Sequence, residues 1–188
     1  ATEAHLLLAL AQHSAGDVEG ALRSYAQLQE LMPESAPYGV LVGDIYFAAG
    51  MLDEAEAAYV HAVEQFPDAG LAHYGLARVL EARGDDGAID ALRSSIEHAP
   101  DFLDARVLLG RTLRLNGQED EALDHLLYAI RLNNNHAAAR FELALVYEAL
   151  ERVADAENEY RMVLRLDPDN EEAASRLRRL LEAVQANT

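Results

Sequence analysis

The sequence of 188 residues contains no cysteine, no lysine and no tryptophan. Without cysteine it can form no disulfide, no thiolate metal site and no cysteine nucleophile. Without lysine, all 15 basic residues are arginines, and they stand against 33 acidic residues for a formal net charge of −18. Such an excess of negative charge argues against a nucleic-acid partner or an anionic membrane surface.

Long apolar runs are also missing. The longest apolar stretch, Leu6 to Ala11, is far shorter than the ~20 residues that a helix needs to span a bilayer. We therefore predict no direct membrane insertion, and no basic leader precedes this stretch. Apolar residues make up 51% of the chain, so it can bury a substantial core without a metal or a disulfide. Because the chain begins at Ala1 without a methionine, we expect it to be a piece of a longer protein.

The sequence repeats itself with a period close to 34 residues. Pro33 and Pro67 are 34 residues apart, Pro100 follows after 33, and Asn134 and Pro168 continue at steps of 34. A glycine recurs near the middle of the first four units, at Gly16, Gly50, Gly84 and Gly117. The period predicts a single array, 2–170, of five units: 2–35, 36–69, 70–102, 103–136 and 137–170.

Each half of a unit has apolar residues three and four positions apart, which predicts an amphipathic helix. No sustained alternation of apolar and polar residues indicates a strand. The third unit is one residue short between Gly84 and Ala88, which predicts a tighter turn there. The segment 171–188 carries Leu177, Leu181 and Val184 on one stripe and is predicted to be a C-terminal solvating helix, the eleventh of the chain.

Small residues also recur where the two helices of a unit should cross, as at Ala21, Ala55, Ala88, Ala122 and Ala156. This pattern resembles the tetratricopeptide repeat family, whose units are helix pairs of 34 residues with a proline near the end. The tryptophan often found early in that family's first helix is replaced, by His5, Gly39, His73, Arg106 and Arg140. The resemblance implies an all-α, right-handed α-solenoid of five helix pairs plus a C-terminal capping helix, which holds another protein or peptide.

Residue sets that would indicate an enzyme or a cofactor are not found. None of the seven histidines lies three or four residues from another, so no helix presents two imidazoles to a metal ion. The acidic groups at Asp85 and Asp86 and at Glu119 to Glu121 fall at starts of helices, where carboxylates act as caps. No phosphate-binding loop or nucleophile motif occurs. We predict a protein without catalytic residues, metal or cofactor.

In a curved stack of helix pairs, the first helix of each pair lines the concave face. At about 100° per residue, the inner positions of successive first helices form rows. The residues predicted to bind a peptide or protein on these rows are Leu6, Leu10, Val40, Asp44, Phe47, Tyr74, Arg78, Val107, Arg111, Arg114, Phe141 and Leu145. They describe an apolar face with a cationic centre. The alternative is that the apolar groups pack between first helices and that the arginines pair with Glu81 or Asp44.

The family's best-known peptide mode clamps a C-terminal carboxylate with lysines and asparagines of neighbouring first helices. Leu6 and Leu10 stand at those places in the first unit, and Asp44 would repel a carboxylate, so this mode is disfavoured. A different carboxylate contact through Arg78 and Arg111 stays open.

Three functions compete. The first is a scaffold that binds an acidic-hydrophobic segment of a partner, with contacts centred on the third and fourth units. The second is self-association through the first helix, because Leu6, Leu7, Leu8 and Leu10 make that helix apolar on nearly every side. The third is a regulatory arm of a larger enzyme or export machine.

Overall fold

The computed structural model describes residues 2–31 and 36–186. Within these ranges it contains eleven α-helices and no strand. The first helices of the pairs are α1 (Thr2–Ser14), α3 (Ala36–Ala48), α5 (Gly70–Arg83), α7 (Leu103–Leu115) and α9 (Ala137–Ala149). The second helices are α2 (Val18–Leu31), α4 (Leu52–Gln65), α6 (Gly87–His98), α8 (Glu119–Leu132) and α10 (Val153–Leu166), and the last helix is α11 (Glu171–Ala186). The predicted all-α fold of helix pairs is confirmed.

Each helix packs on its partner in the pair, and α2, α4 and α8 also pack on the first helix that follows them, as α10 packs on α11. The chain divides into two compact units, Ala1–Pro100 and Asp101–Thr188, and each is described by itself below. In the first, α3 contacts α5, and in the second, α7 contacts α9. The fold is that of an all-helical repeat solenoid. The division of 2–170 into five repeat units of one array stays a prediction.

The connection between the helices of a pair has three residues in every repeat. One residue of each connection has a positive φ: 75° at Gly16, 74° at Gly50, 69° at Gly84, 73° at Gly117 and 56° at Glu151. It is the first residue of the connection at Gly84 and the middle residue in the other four. Glycine adopts this conformation without a steric penalty, whereas Glu151 must accept some strain.

The expected tighter turn in the third repeat is wrong. The connection after α5, residues 84–86, has three residues like the others. The amides of Gly84 and Asp85 bond to the carbonyls of Glu81 and Leu80, which is the bonding that the left-handed C-cap requires. The shortening falls in the helices: α6 has 12 residues where the other second helices have 14, and α5 has 14 where the other first helices have 13, so the repeat is one residue shorter in all.

The core of each pair forms where a small residue meets a large one. The recurring alanines at 21, 55, 88, 122 and 156 are fully or almost fully buried, and so are the larger side chains one turn later, Tyr25, Tyr59, Leu92, Leu126 and Tyr160. The alanine lets the two backbones approach, and the larger side chain fills the space beside the crossing. This packing fixes the orientation of the first helices and therefore of their inner positions.

Candidate binding surface

In the first compact unit, the predicted inner residues gather around the carboxylate of Asp44. Arg78 Nη1 donates a hydrogen bond to Asp44 Oδ1 at 2.9 Å, and Tyr59 Oη donates to the same oxygen at 2.7 Å. The Arg78 guanidinium also lies 4.1 Å from the centroid of the Phe47 ring and 5.8 Å from that of Tyr74. Arg78 is thus held by one carboxylate and two aromatic rings, which is the pairing with Asp44 that the alternative interpretation anticipated.

Tyr59 was not among the predicted site residues, yet its hydroxyl group holds the Asp44 carboxylate of this cluster. Its side chain is fully buried. Burial raises the pKa of the Tyr59 hydroxyl well above its usual value, and the hydrogen bond to Asp44 and the charge of Asp44 raise it further, against a smaller opposing effect of Arg78. Tyr59 is therefore a neutral hydrogen-bond donor that orients the Asp44 carboxylate toward Arg78.

The remaining predicted residues of the first unit differ in accessibility. Phe47 and Tyr74 are half-buried, so part of each ring faces solvent. Val40 is 9% exposed and belongs to the core under the surface rather than to the surface itself. The side chains of Leu6 and Leu10 lie outside the described residues.

In the second compact unit, two predicted arginines share a carboxylate that sequence reasoning missed. Arg114 Nε and Nη2 donate to Glu142 Oε2 at 3.2 and 3.0 Å. Arg111 Nε lies 4.0 Å from Glu142 Oε1. The Glu142 side chain is only 14% exposed, whereas that of Arg111 is 49% exposed. Glu142 therefore lies between two guanidinium groups and forms the closer contact with Arg114.

One repeat later, the same two positions make the same contact with the charges exchanged. Glu148 follows Arg114 by 34 residues, and Arg176 follows Glu142 by 34. Arg176 Nη1 donates to Glu148 Oε2 at 3.0 Å, and its Nε donates to Glu172 Oε1 at 3.2 Å. The spacing of 28 residues between partners of opposite charge is the sequence signal that would have indicated both pairs.

The apolar residues of the second unit lie beside these pairs. Phe141 meets the buried ring of Tyr160 edge to face, with 5.9 Å between the ring centroids. Burial, and then the charge of Glu148, raise the pKa of Tyr160. Phe141 and Val107 are half-buried, whereas Leu145 is 8% exposed and contributes to the core. Since Tyr74 and Arg78 belong to the first compact unit, their convergence with Val107, Arg111 and Arg114 stays a prediction.

The 34-residue step of the predicted inner rows also leads into α11, which the site prediction left out. A further step of 34 from Phe141, Leu145 and Glu148 leads to Ser175, Arg179 and Glu182. Arg179 is exposed, and no ion pair or hydrogen bond engages its side chain within the part of the chain that the structure describes. Extending the period by one more unit would have found it.

Other kinds of site were sought in the same residues. No group of three or more metal-ligating side chains occurs within 2–31 and 36–186. Among the helices described, none is both long and apolar enough to cross a membrane.

Three family models, each described as tetratricopeptide repeat, match residues 3–35, 42–88 and 82–166. Together they cover most of the sequence. The chain belongs to the tetratricopeptide repeat family. Repeats of this family are typically non-catalytic modules for interaction with other proteins, and membership in the family supports a protein-interaction scaffold.

Solved structures similar to this tetratricopeptide repeat protein support the same fold. A MamA protein has 21% identity and a TM-score of 0.73, over 91% of this chain and 94% of that chain. YrrB, described as a TPR protein with an unusual peptide-binding site, has 24% identity and a TM-score of 0.73, over 91% and 89%. A thermophilic TPR protein of Thermus thermophilus, TTC0263, has 19% identity and a TM-score of 0.72, over 96% and 99%. No curated relative matches the chain in sequence.

Proposed function

We propose that this scaffold binds an acidic-hydrophobic segment of a partner protein on the inner faces of its first helices. The observation that carries the proposal is the composition of those faces in the described residues. Half-buried aromatic rings stand beside arginines, as Phe47 and Tyr74 stand beside Arg78, in a chain whose net charge is −18. The arginines on these faces are local positive charges on an otherwise acidic protein, and an acidic segment would be attracted to them.

The internal ion pairs support the choice of an acidic ligand. Asp44, Glu142 and Glu148 already place carboxylates against inner arginines, so the surface is built to hold this group. A guanidinium has five donors, and the contact of Arg78 with Asp44 Oδ1 uses one of them. The aromatic rings would supply the buried anchors that usually dominate binding energy, while the arginines set orientation and charge preference.

The test uses two labelled peptide probes, one alternating Asp with Leu and one alternating Asn with Leu, followed by fluorescence anisotropy. Replacing both Arg78 and Arg111 by alanine should weaken binding of the acidic probe and flatten its salt dependence. Loss of Arg78 also leaves Asp44 without its arginine, which adds repulsion. The matched control replaces Arg23 and Arg161, exposed arginines of α2 and α10, and removes the same charge from second helices.

The two variants separate the proposal from a general effect of charge. If the Arg23 and Arg161 variant loses binding while the Arg78 and Arg111 variant keeps it, the partner binds elsewhere and the inner-face assignment is wrong.

A second candidate function is self-association through α1. Leu7 is 67% exposed and Leu8 is 49% exposed, on a helix whose counterparts α3 and α9 are covered by a preceding second helix. Covering two adjacent exposed leucines is energetically favourable, so they mark a surface for association.

A further inference from the structure

We infer that α11 is part of the ligand surface and forms, with α9, a cleft for one carboxylate of the bound segment. The inference rests on the proposed function and names the place of the acidic group. The cleft has a volume of about 260 Å³ and is lined by Glu148, Arg176, Arg179, Leu180 and Ala183. The cleft is open to solvent rather than enclosed, so a side chain of an extended segment could enter it without the burial of a whole small molecule.

The two arginines of the cleft differ in whether they form ion pairs within the chain. Arg176 is held by Glu148 and Glu172 at 3.0 and 3.2 Å, and its charge is neutralised. Arg179 faces the same cleft with no carboxylate partner in the described residues. With Glu172 counted, the four charges around the cleft cancel, so a carboxylate would be drawn by the guanidinium of Arg179 itself and not by a net charge of the cleft. A guanidinium is suited to a carboxylate because its donors match both oxygens.

The apolar part of the lining adds a second element of recognition. Leu180 directly follows Arg179 in the sequence and is half-buried. Ala183 lies one turn further along the helix and is exposed. A segment that places a carboxylate on Arg179 would lay a neighbouring apolar side chain over Leu180 and Ala183. The side chains of α11 therefore suit the same acidic-hydrophobic segment that was proposed from the first helices of the pairs.

The position of Arg179 in the repeat supports a role in the same surface. Arg179 follows Leu145 by 34 residues and so occupies the inner row that contains Arg111. In this arrangement the last helix both covers the end of the core and continues the ligand-facing row.

The experiment compares Arg179→Ala with Arg178→Ala in the whole chain, using the Asp-Leu probe. Arg178 is the adjacent residue, is exposed and has no ion pair in the described residues, but it points about 100° away around the helix. Both variants lose one charge from the same solvent-exposed helix. We expect Arg179→Ala to weaken binding about fivefold, as for a contact at the surface, and Arg178→Ala to change it less than about twofold.

A second arm of the experiment distinguishes a side-chain carboxylate of the probe from its C-terminal carboxylate. The probe is prepared with a free and with an amidated C-terminus. If amidation leaves the effect of Arg179→Ala unchanged, the cleft takes a side-chain carboxylate, and if amidation removes it, the cleft takes the terminal one. Both results support the inference.

Three outcomes overturn it. If Arg179→Ala binds like the wild type while the Arg78 and Arg111 variant loses binding, the cleft is not a subsite and the proposed function stands. If the Arg178 and Arg179 variants lose binding equally, the effect is general charge and the cleft is again excluded. If the wild-type chain binds the Asp-Leu and Asn-Leu probes equally, the proposed function fails together with the inference.

Discussion

Gly75 of α5 lies so close to the ring of Tyr59 in α4 that a Cβ on Gly75 would fall 2.2 Å from Tyr59 Cε1. The ring is buried between this glycine and Gly43 of α3, where a Cβ would fall 2.4 Å from the same atom. We predict that Gly75→Ala destabilises the fold by about 1–3 kcal/mol, because a buried ring and two helix backbones must shift. Denaturant unfolding followed by circular dichroism measures this free energy.

The control repeats the substitution after Tyr59→Leu, a residue found at the same repeat position in Leu92 and Leu126. With the ring removed, Gly75→Ala should be neutral or stabilising, since alanine is the better helix former by ~1 kcal/mol. An equal loss in both backgrounds would mean that the glycine is needed for another reason than the ring.

Alkaline pH should unfold the protein through its buried tyrosines. The pKa values of Tyr59 and Tyr160 are raised in the folded chain, first by burial and then by Asp44 and Glu148 respectively. In the unfolded chain both ionise near the usual value of about 10. Their contribution to stability is therefore fully present below about pH 10 and is lost as the pH rises above it.

The measurement is the free energy of unfolding from about pH 8 to about pH 11, together with phenolate absorbance. The chain has no lysine and no cysteine, so tyrosine is the main side chain that titrates there. Tyr59→Phe and Tyr160→Phe should each reduce the fall in stability. If all eight tyrosines ionise near pH 10 while the helices persist, the predicted coupling is absent.

Removing the internal carboxylate of the second unit should strengthen binding of an acidic ligand. Glu142→Gln leaves Arg111 and Arg114 without the charge that they share, so we expect affinity for the Asp-Leu probe to rise by about three- to tenfold. Fluorescence anisotropy at two salt concentrations measures the change. Asp124→Asn, at an exposed position of α8, removes the same charge and should change affinity much less. Equal gains in the two variants would show that overall charge, not this pair of arginines, controls binding.

Self-association through α1 makes a separate prediction. Replacing both Leu7 and Leu8 by glutamine should lower the apparent mass at high protein concentration, as measured by sedimentation equilibrium, because it removes the exposed apolar pair. The control replaces Leu71 and Leu115, which are 58% and 61% exposed, and should leave the mass unchanged. A strictly monomeric wild-type chain would contradict this candidate.

The helices and their pairing could be predicted from the sequence because their causes are local and repeat. Apolar residues three and four apart mark one face of a helix, and glycines such as Gly50 and Gly84 stand where the backbone needs a positive φ. Because the repeat aligns the same positions of successive units, it predicted the eleven helices and the candidate inner positions. The expectation of a tighter turn in the third repeat was wrong, because the connection keeps three residues while α6 is two residues shorter and α5 one residue longer than their counterparts.

The partners of the inner side chains were decided by the tertiary structure. Composition and period placed Arg111 and Arg114 on an inner row, but only the packing of α9 against α7 brings Glu142 between them. The same applies to Tyr59, whose hydroxyl reaches Asp44, and to Val40 and Leu145, which packing buries. A contact between neighbouring helices depends on their relative rotation and separation, which the spacing within one helix does not specify. Rows of residues are therefore readable from the sequence, whereas which charge meets which is settled when the helices pack.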